Sequence, residues 1–216
     1  MKTEKFTVGP FAENTYLLSA GDEALLIDPG FYQPDEFQSF EQRLESWNTK
    51  LTAVVLTHAH VDHVLGLDKV VARFDVPVFY CDKDRYLWDN YRSQAQMFGF
   101  QVEGFDFEPE PLAPQEDWEF GSFLFDVLYT PGHAPDHISL YSKQENILIA
   151  GDTLFREGIG RTDLYKGSFE LLQKTIRETL YALPEDTRVL PGHGPETTIG
   201  HEKKANPFVK GKPITG

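Results

Sequence analysis

Seven histidines occur in the 216 residues of the chain, and five of them fall in short loops directly after apolar runs. His58, His60 and His63 share the stretch Thr57-His58-Ala59-His60-Val61-Asp62-His63 with Asp62. His133 closes Thr130-Pro131-Gly132-His133, and His193 sits in Pro191-Gly192-His193-Gly194. Asp152 follows the apolar run 147–150 in Gly151-Asp152-Thr153. An apolar strand that ends in a tight turn is a rigid stand for a side chain at its tip. Imidazole nitrogen and carboxylate oxygen suit zinc, iron or manganese, and the lack of thiolate donors argues against a closed structural zinc site.

His58, His60, Asp62 and His63 are too many donors for one ion to gather from a single loop, so two metal centres are implied. The i, i+2 pair His58 and His60 can address one centre, while Asp62 and His63 open the next helix and can face another. His133, Asp152 and His193 then complete the two shells and leave open positions for water, as catalysis requires. His201 reads as a surface histidine. His137, four residues beyond His133, reads equally as a group that orients a ligand or as an ordinary packed histidine. Cys81 precedes Asp82 and Asp84, lacks an electropositive neighbourhood, and reads as a packed residue.

The elements that must position these groups follow from periodicity. Residues 5–8, 15–18 and 24–28, parted by Gly9-Pro10 and Gly21-Asp22, predict an opening meander of strands. Phe37, Phe40, Leu44 and Trp47 recur at helical spacing behind Pro34 and predict a core-facing helix over 34–47. Residues 51–56 read as a buried strand that runs into the histidine cluster. Helices are predicted over 64–74, 82–97, 169–182 behind a Ser168 N-cap, and 198–205. Strands are predicted over 78–80, 123–129, 138–141, 147–150 and 188–190, and the acidic, proline-containing stretch 100–117 reads as a loop.

Length and composition fit one globular domain over 1–216. No apolar run reaches the roughly 20 residues of a membrane helix, and the first residues lack a secretory pattern. With its single cysteine, the chain is expected in the cytoplasm. The formal net charge of -14 argues against nucleic acid as a partner. A small-molecule substrate is expected.

The run from Thr57 to His63, followed in order by His133, Asp152 and His193, resembles the signature of the metallo-beta-lactamase superfamily. The likeness extends from Leu25-Leu26-Ile27-Asp28-Pro29-Gly30 to Gly194. It implies an α/β fold, an αββα sandwich of two mixed β-sheets flanked by helices, with the metals at one edge. It implies His58, His60 and His133 as ligands of a first metal, Asp62, His63 and His193 as ligands of a second, and Asp152 as the carboxylate that bridges both. Asp62 and Asp152 are the expected catalytic residues. Two divalent ions are the implied cofactors, zinc first, with iron or manganese as alternatives. Asp28 matches a strand-end aspartate beside the ligands.

Within the superfamily, lactam-hydrolysing enzymes of the best-known class carry cysteine where this chain has Asp152, and flavin-linked diiron proteins carry glutamate in place of His60. The stretches Gly151-Asp152-Thr153-Leu154-Phe155-Arg156, Gly160-Arg161-Thr162-Asp163 and Gly192-His193-Gly194-Pro195-Glu196-Thr197-Thr198 are similar to short bacterial members of the glyoxalase II group. That group hydrolyses S-acylglutathione thioesters, and its long members carry a C-terminal helical glutathione-binding domain with no counterpart in these residues. The resemblance implies hydroxide between two cations attacking a thioester carbonyl, with a thiol of pKa about 8.5 leaving without a strong general acid. An anionic thioester on an acidic chain needs local cations, and Arg161, Lys203 and Lys204 are candidates that also read as ordinary exposed charges. Other readings of the ligand pattern are a mononuclear iron persulfide dioxygenase using residues corresponding to His58, His133 and Asp152, a hydrolase of another ester or lactone, and a non-catalytic metal-dependent sensor.

Overall fold

The opening strands β1 (Lys2–Val8), β2 (Glu13–Ala20) and β3 (Glu23–Ile27) form an antiparallel meander. Tight turns with Gly9 and Gly21 at positive φ reverse the chain between them. β1 is largely open to solvent on one side, whereas β2 and β3 are buried almost throughout, so β1 is the edge. Helix α1 (Pro34–Trp47) begins in a capping box between Gln33 and Glu36, buries Phe40 and Leu44, and ends where Asn48 turns left-handed. β4 (Lys50–Val55) then lies parallel to β3. The short helix α2 (Val61–Val64), α3 (Leu67–Phe74), β5 (Val78–Tyr80), α4 (Tyr86–Asp89), α5 (Tyr91–Met97) and β6 (Glu110–Pro111) complete this half, a six-stranded mixed sheet in the order β1-β2-β3-β4-β5-β6.

The second half contains β7 (Gln115–Phe120), β8 (Phe123–Tyr129), β9 (Ile138–Ser142), β10 (Ile147–Gly151), the hairpin β11 (Leu154–Phe155) and β12 (Gly158–Ile159), α6 (Phe169–Glu178), a 3₁₀ turn at Leu180–Ala182, β13 (Arg188–Pro191), β14 (Thr197–Thr198) and α7 (Ile199–Ala205). Its six-stranded sheet runs β14-β13-β10-β9-β8-β7, with β10 and β13 parallel and β8, β9 and β10 successively antiparallel. Leu148, Ala150 and Val189 of the sheet pack with Leu172, Ile176 and Ile199 of the helices. The computed structural model describes residues 1–210. These divide into two compact units, Met1–Ala113 with Glu119–Phe123, and Pro114–Trp118 with the chain from Leu124 onward. Two large mixed sheets with flanking helices are the fold class expected from sequence.

In each sheet the candidate ligands follow the carboxyl ends of strands that run the same way. Asp28 follows β3, and His58 follows β4 parallel to it. Asp152 follows β10, His193 follows the parallel β13, and His133 follows β8, whose direction equals that of β10 because two antiparallel pairings separate them.

Some boundaries differ from the sequence reading. The helix expected over 64–74 is broken at Gly66, where the chain passes so close to Phe31 that a Cβ would stand 2.7 Å from the Phe31 Cβ. The helix expected over 82–97 is two short ones parted at Asn90, whose side-chain amide bonds the Tyr86 carbonyl at 2.8 Å in competition with the helical ladder. The loop expected over 100–117 contains β6 and the start of β7, and the end of the helix expected over 169–182 tightens into the 3₁₀ turn. Cys81 is buried at the end of β5, as the packed reading requires.

The loop that carries His133 is fastened to α6. The Ser168 N–H donates to the Gly132 carbonyl and the Thr175 hydroxyl to the Pro131 carbonyl, both at 2.8 Å. Gly132 has φ +128°, and a Cβ there would collide with the backbone nitrogen of Leu172. We therefore expect Gly132→Ala to destabilise the protein by more than about 1 kcal/mol. Urea denaturation would show this as a lower midpoint, and an unchanged midpoint would mean that α6 does not hold the loop.

Candidate metal centre

In the first unit the strand ends bring His58, His60 and His63 together, with ring centroids of His58 4.8 Å from His60 and 4.2 Å from His63. All are buried. Asp28, left-handed at φ 48°, sits behind them. Its Oδ1 accepts the Thr57 N–H at 2.7 Å, and its Oδ2 accepts the Thr57 hydroxyl at 2.6 Å and faces His63 Nδ1 at 3.0 Å. A carboxylate only accepts, so His63 carries its proton on Nδ1 and presents Nε2. The same count fixes His58. Thr57 spends its one hydroxyl proton on Asp28, so its 3.0 Å contact with His58 Nδ1 is donated by the imidazole, and Nε2 again bears the lone pair.

Potential ligand atoms of Asp28, His58 and His63 lie within 4.8 Å of one another, which would allow Asp28 itself to bind metal. Both of its oxygens are engaged by Thr57 and His63, an arrangement in which a carboxylate can orient the imidazole beside it. His60 caps the start of α2, and Asp62 and His63 lie within that helix, with Asp62 Oδ2 3.9 Å from His63 Nε2.

Sequence reasoning passed over a neighbour, Glu13, at the start of β2. The Thr15 hydroxyl lies 2.7 Å from the Asp28 carbonyl, 2.8 Å from Glu13 Oε2 and 3.0 Å from the Gly30 nitrogen. Gly30 donates to it, and its single proton is shared between the Asp28 carbonyl and Glu13. Complete burial drives the Glu13 carboxyl well above the usual range, and the neighbouring Asp28 carboxylate adds to the rise.

In the second unit Asp152 is the hub. Its Oδ2 is 3.5 Å from Nε2 of His133 and 3.5 Å from Nε2 of His193. His133 Nδ1 donates to the Arg161 carbonyl at 2.7 Å, which leaves the lone pair on Nε2. Gly160 is obligatory here, because a Cβ would collide with the Asp152 carbonyl oxygen. His137 is wholly buried and bonds the backbone of Asp152. The Asp152 N–H donates to its Nε2 at 3.0 Å, so Nδ1 holds the proton and donates to Thr130 at 2.9 Å. Thr130 in turn meets Ser139 at 2.9 Å, and Ser139 donates to the Ala150 carbonyl at 3.3 Å.

The remaining sequence candidates lie in other surroundings. Arg161 clamps Asp163 in its own loop through bonds of 2.8 Å from Nε and Nη2, which holds the Asp163 carboxyl down at about 2. What Arg161 gives His133 is its carbonyl. Lys203 and Lys204, in the last turn of α7, each approach Glu185 at 3.9 Å. His201 lies against Glu157 at 3.0 Å, partly exposed at the surface.

The profile of the metallo-beta-lactamase superfamily matches residues 8–193. The chain belongs to that superfamily. Among superfamily members it is 36% identical to a hydroxyacylglutathione hydrolase, GloC, of Haemophilus influenzae, over 98% of this chain and 100% of that one. The solved structure of BLEG-1, described as a B3 metallo-beta-lactamase, matches with a TM-score of 0.88 and 34% identity, covering 97% of this chain and all of that one (100%). That of TTHA1623 in a di-iron-bound form matches with a TM-score of 0.85 and 35% identity, covering 95% and 100%. Relatives of the chain in Bacillus subtilis and Streptococcus pyogenes are named probable metallo-hydrolases, and the His and Asp donors of this chain suit divalent ions. Among the described residues no helix is long and apolar enough to cross a membrane.

Asp28→Asn keeps the size of the side chain and tolerates the left-handed backbone, but confronts the donors of Thr57 and His63 with an amide. Zinc affinity in a chelator competition is expected to fall roughly 10- to 100-fold with the fold retained. Unchanged affinity would remove Asp28 from the machinery.

Proposed function

We propose that the two donor groups belong to one domain and one binuclear centre, with His58, His60 and His133 holding one ion, Asp62, His63 and His193 the other, and Asp152 bridging them. The observation that carries this reading is the set of Nδ1 contacts. His58, His63 and His133 each commit Nδ1 to an oxygen and turn Nε2 outward. The Asp152 geometry agrees: ligand atoms around an ion with bonds of about 2.1 Å stand roughly 3.4 Å apart in a tetrahedron, close to the 3.5 Å between Asp152 Oδ2 and each imidazole nitrogen. The donors are nitrogen and oxygen without sulfur, which fits zinc and equally iron or manganese.

The reaction we infer is hydrolysis of a thioester of the S-acylglutathione type, and the likeness to GloC over the full length of both chains supports it. Divalent ions at such a site supply Lewis acidity and bring the ionisation of water near neutral pH. Asp152 is held in place through its backbone by His137. Asp62, the more exposed of the two catalytic carboxylates, is proposed to accept a proton from the attacking water. A thiol leaving group with a pKa of about 8.5 departs as thiolate, so no strong acid is required. A cytoplasmic setting, where thiols stay reduced, belongs to the same proposal. Lactam hydrolysis is a second reading, favoured by the match to BLEG-1.

Metal analysis of the purified protein, with parallel assays of S-lactoylglutathione hydrolysis, lactam hydrolysis and oxygen uptake on glutathione persulfide, tests the proposal. Two ions per chain and thioester turnover abolished by chelation are expected, and Asp152→Ala should lower both metal content and turnover. Lactam turnover without thioester turnover would establish the second reading. A single iron with oxygen uptake would replace both.

A further inference from the structure

The hairpin β11–β12 follows Asp152 directly and carries much of what surrounds it in the second unit. Phe155 stands edge-on to the ring of His193 with centroids 5.9 Å apart. Just past the hairpin, Gly160 packs on the Asp152 backbone and Arg161 offers its carbonyl to His133. Two-residue strands supply few ladder bonds of their own, so something else must fix the hairpin.

A wholly buried carboxylate does so. Glu202 of α7 accepts the Thr197 hydroxyl on Oε1 at 2.5 Å. Its Oε2 accepts the N–H of Glu157 at the hairpin tip and the Nδ2 of Asn206, both at 2.9 Å. Asn206 spends its other amide proton on the carbonyl of Gly158, also at 2.9 Å, and its Oδ1 accepts the N–H groups of Phe208 and Val209 at 3.0 and 3.2 Å. Adjacent backbone groups of the tip are thus gripped by side chains spaced i, i+4 on the last helix. A buried charge is tolerated only when its lone pairs are satisfied. Here they are satisfied by the tip, a residue of β14 and Asn206.

We propose that Glu202 and Asn206 are positioning residues of the metal centre, acting through the hairpin to hold the Arg161 carbonyl under His133 and Phe155 against His193. This rests on the binuclear reading above. Their contribution is hydrogen bonding rather than charge. Glutamine can reproduce it, since its carbonyl can accept from Glu157 and Asn206 while its amide donates to Thr197.

The test compares wild type, Glu202→Gln and Glu202→Ala by zinc affinity in chelator competition and by long-range ¹H–¹⁵N spectra of the zinc-free proteins, which report the His133 tautomer. Wild type and Glu202→Gln should show one Nδ1–H tautomer and similar affinity. Glu202→Ala should show mixed His133 tautomers and zinc binding roughly tenfold weaker or more. Should Glu202→Ala fail to fold, Asn206→Ala, which leaves Glu202 its bonds to Thr197 and Glu157, gives the same reading in milder form. A folded alanine variant with the wild-type tautomer and unchanged affinity would overturn the inference, as would a glutamine variant as impaired as alanine. The tautomer is read without metal, so a wild type that binds no zinc would refute the binuclear centre while the His133 spectrum still decides the role of Glu202.

Discussion

A neutral imidazole offers a lone pair on one nitrogen only while the other holds a proton, and a buried N–H must find an acceptor. The surroundings of His58 and His63 in the first unit answer that constraint. One carboxylate, Asp28, takes the Thr57 amide and hydroxyl protons and that of His63, and Thr57 then has only its lone pairs left for His58. Charge-assisted bonds of this kind are each worth about 1.5–3 kcal/mol, and their directionality matters more than their energy. If any member changes its proton, an imidazole turns the wrong nitrogen outward.

The second unit meets the constraint with main-chain acceptors and a one-way chain. His133 uses a carbonyl, which cannot return a proton. His137 receives the Asp152 N–H and passes its own proton toward Thr130, Ser139 and the Ala150 carbonyl. Because the chain begins at an obligate donor and ends at an obligate acceptor, each hydroxyl between them has a single orientation. A wholly buried histidine is thereby kept neutral, and the backbone that carries Asp152 is fixed without a charge.

The candidate donors that follow strands, His58, His133, Asp152 and His193, were legible because metal chemistry restricts residue types and tight turns mark where such donors stand. The strands of both sheets were legible where apolar runs met turn signals, and α1 matched its 34–47 stripe because Pro34 and Asn48 punctuate both ends. What escaped depends on contacts distant in sequence. Nothing local marks Gly66 as the point where the chain brushes Phe31, or Asn90 as the residue that interrupts a helix. Strands of two residues such as β11, β12 and β14 are too short for periodicity. Glu13, Glu202 and Asn206 look like ordinary polar residues until the fold surrounds them, and the carbonyl of Arg161 has no side-chain signature at all.

The shared direction of the strands that precede the candidate donors divides each sheet into a chemical rim and a silent one. The candidate donors collect at carboxyl ends, as binding residues do in other parallel arrangements. The reverse turns at the opposite ends, such as Gly21-Asp22 between β2 and β3 or the exposed Lys143-Gln144 between β9 and β10, stand a strand's length away, about 17 Å for five residues. A loop insertion, a fused peptide or an attached fluorophore on that rim is therefore separated from the candidate donors by the full length of a strand.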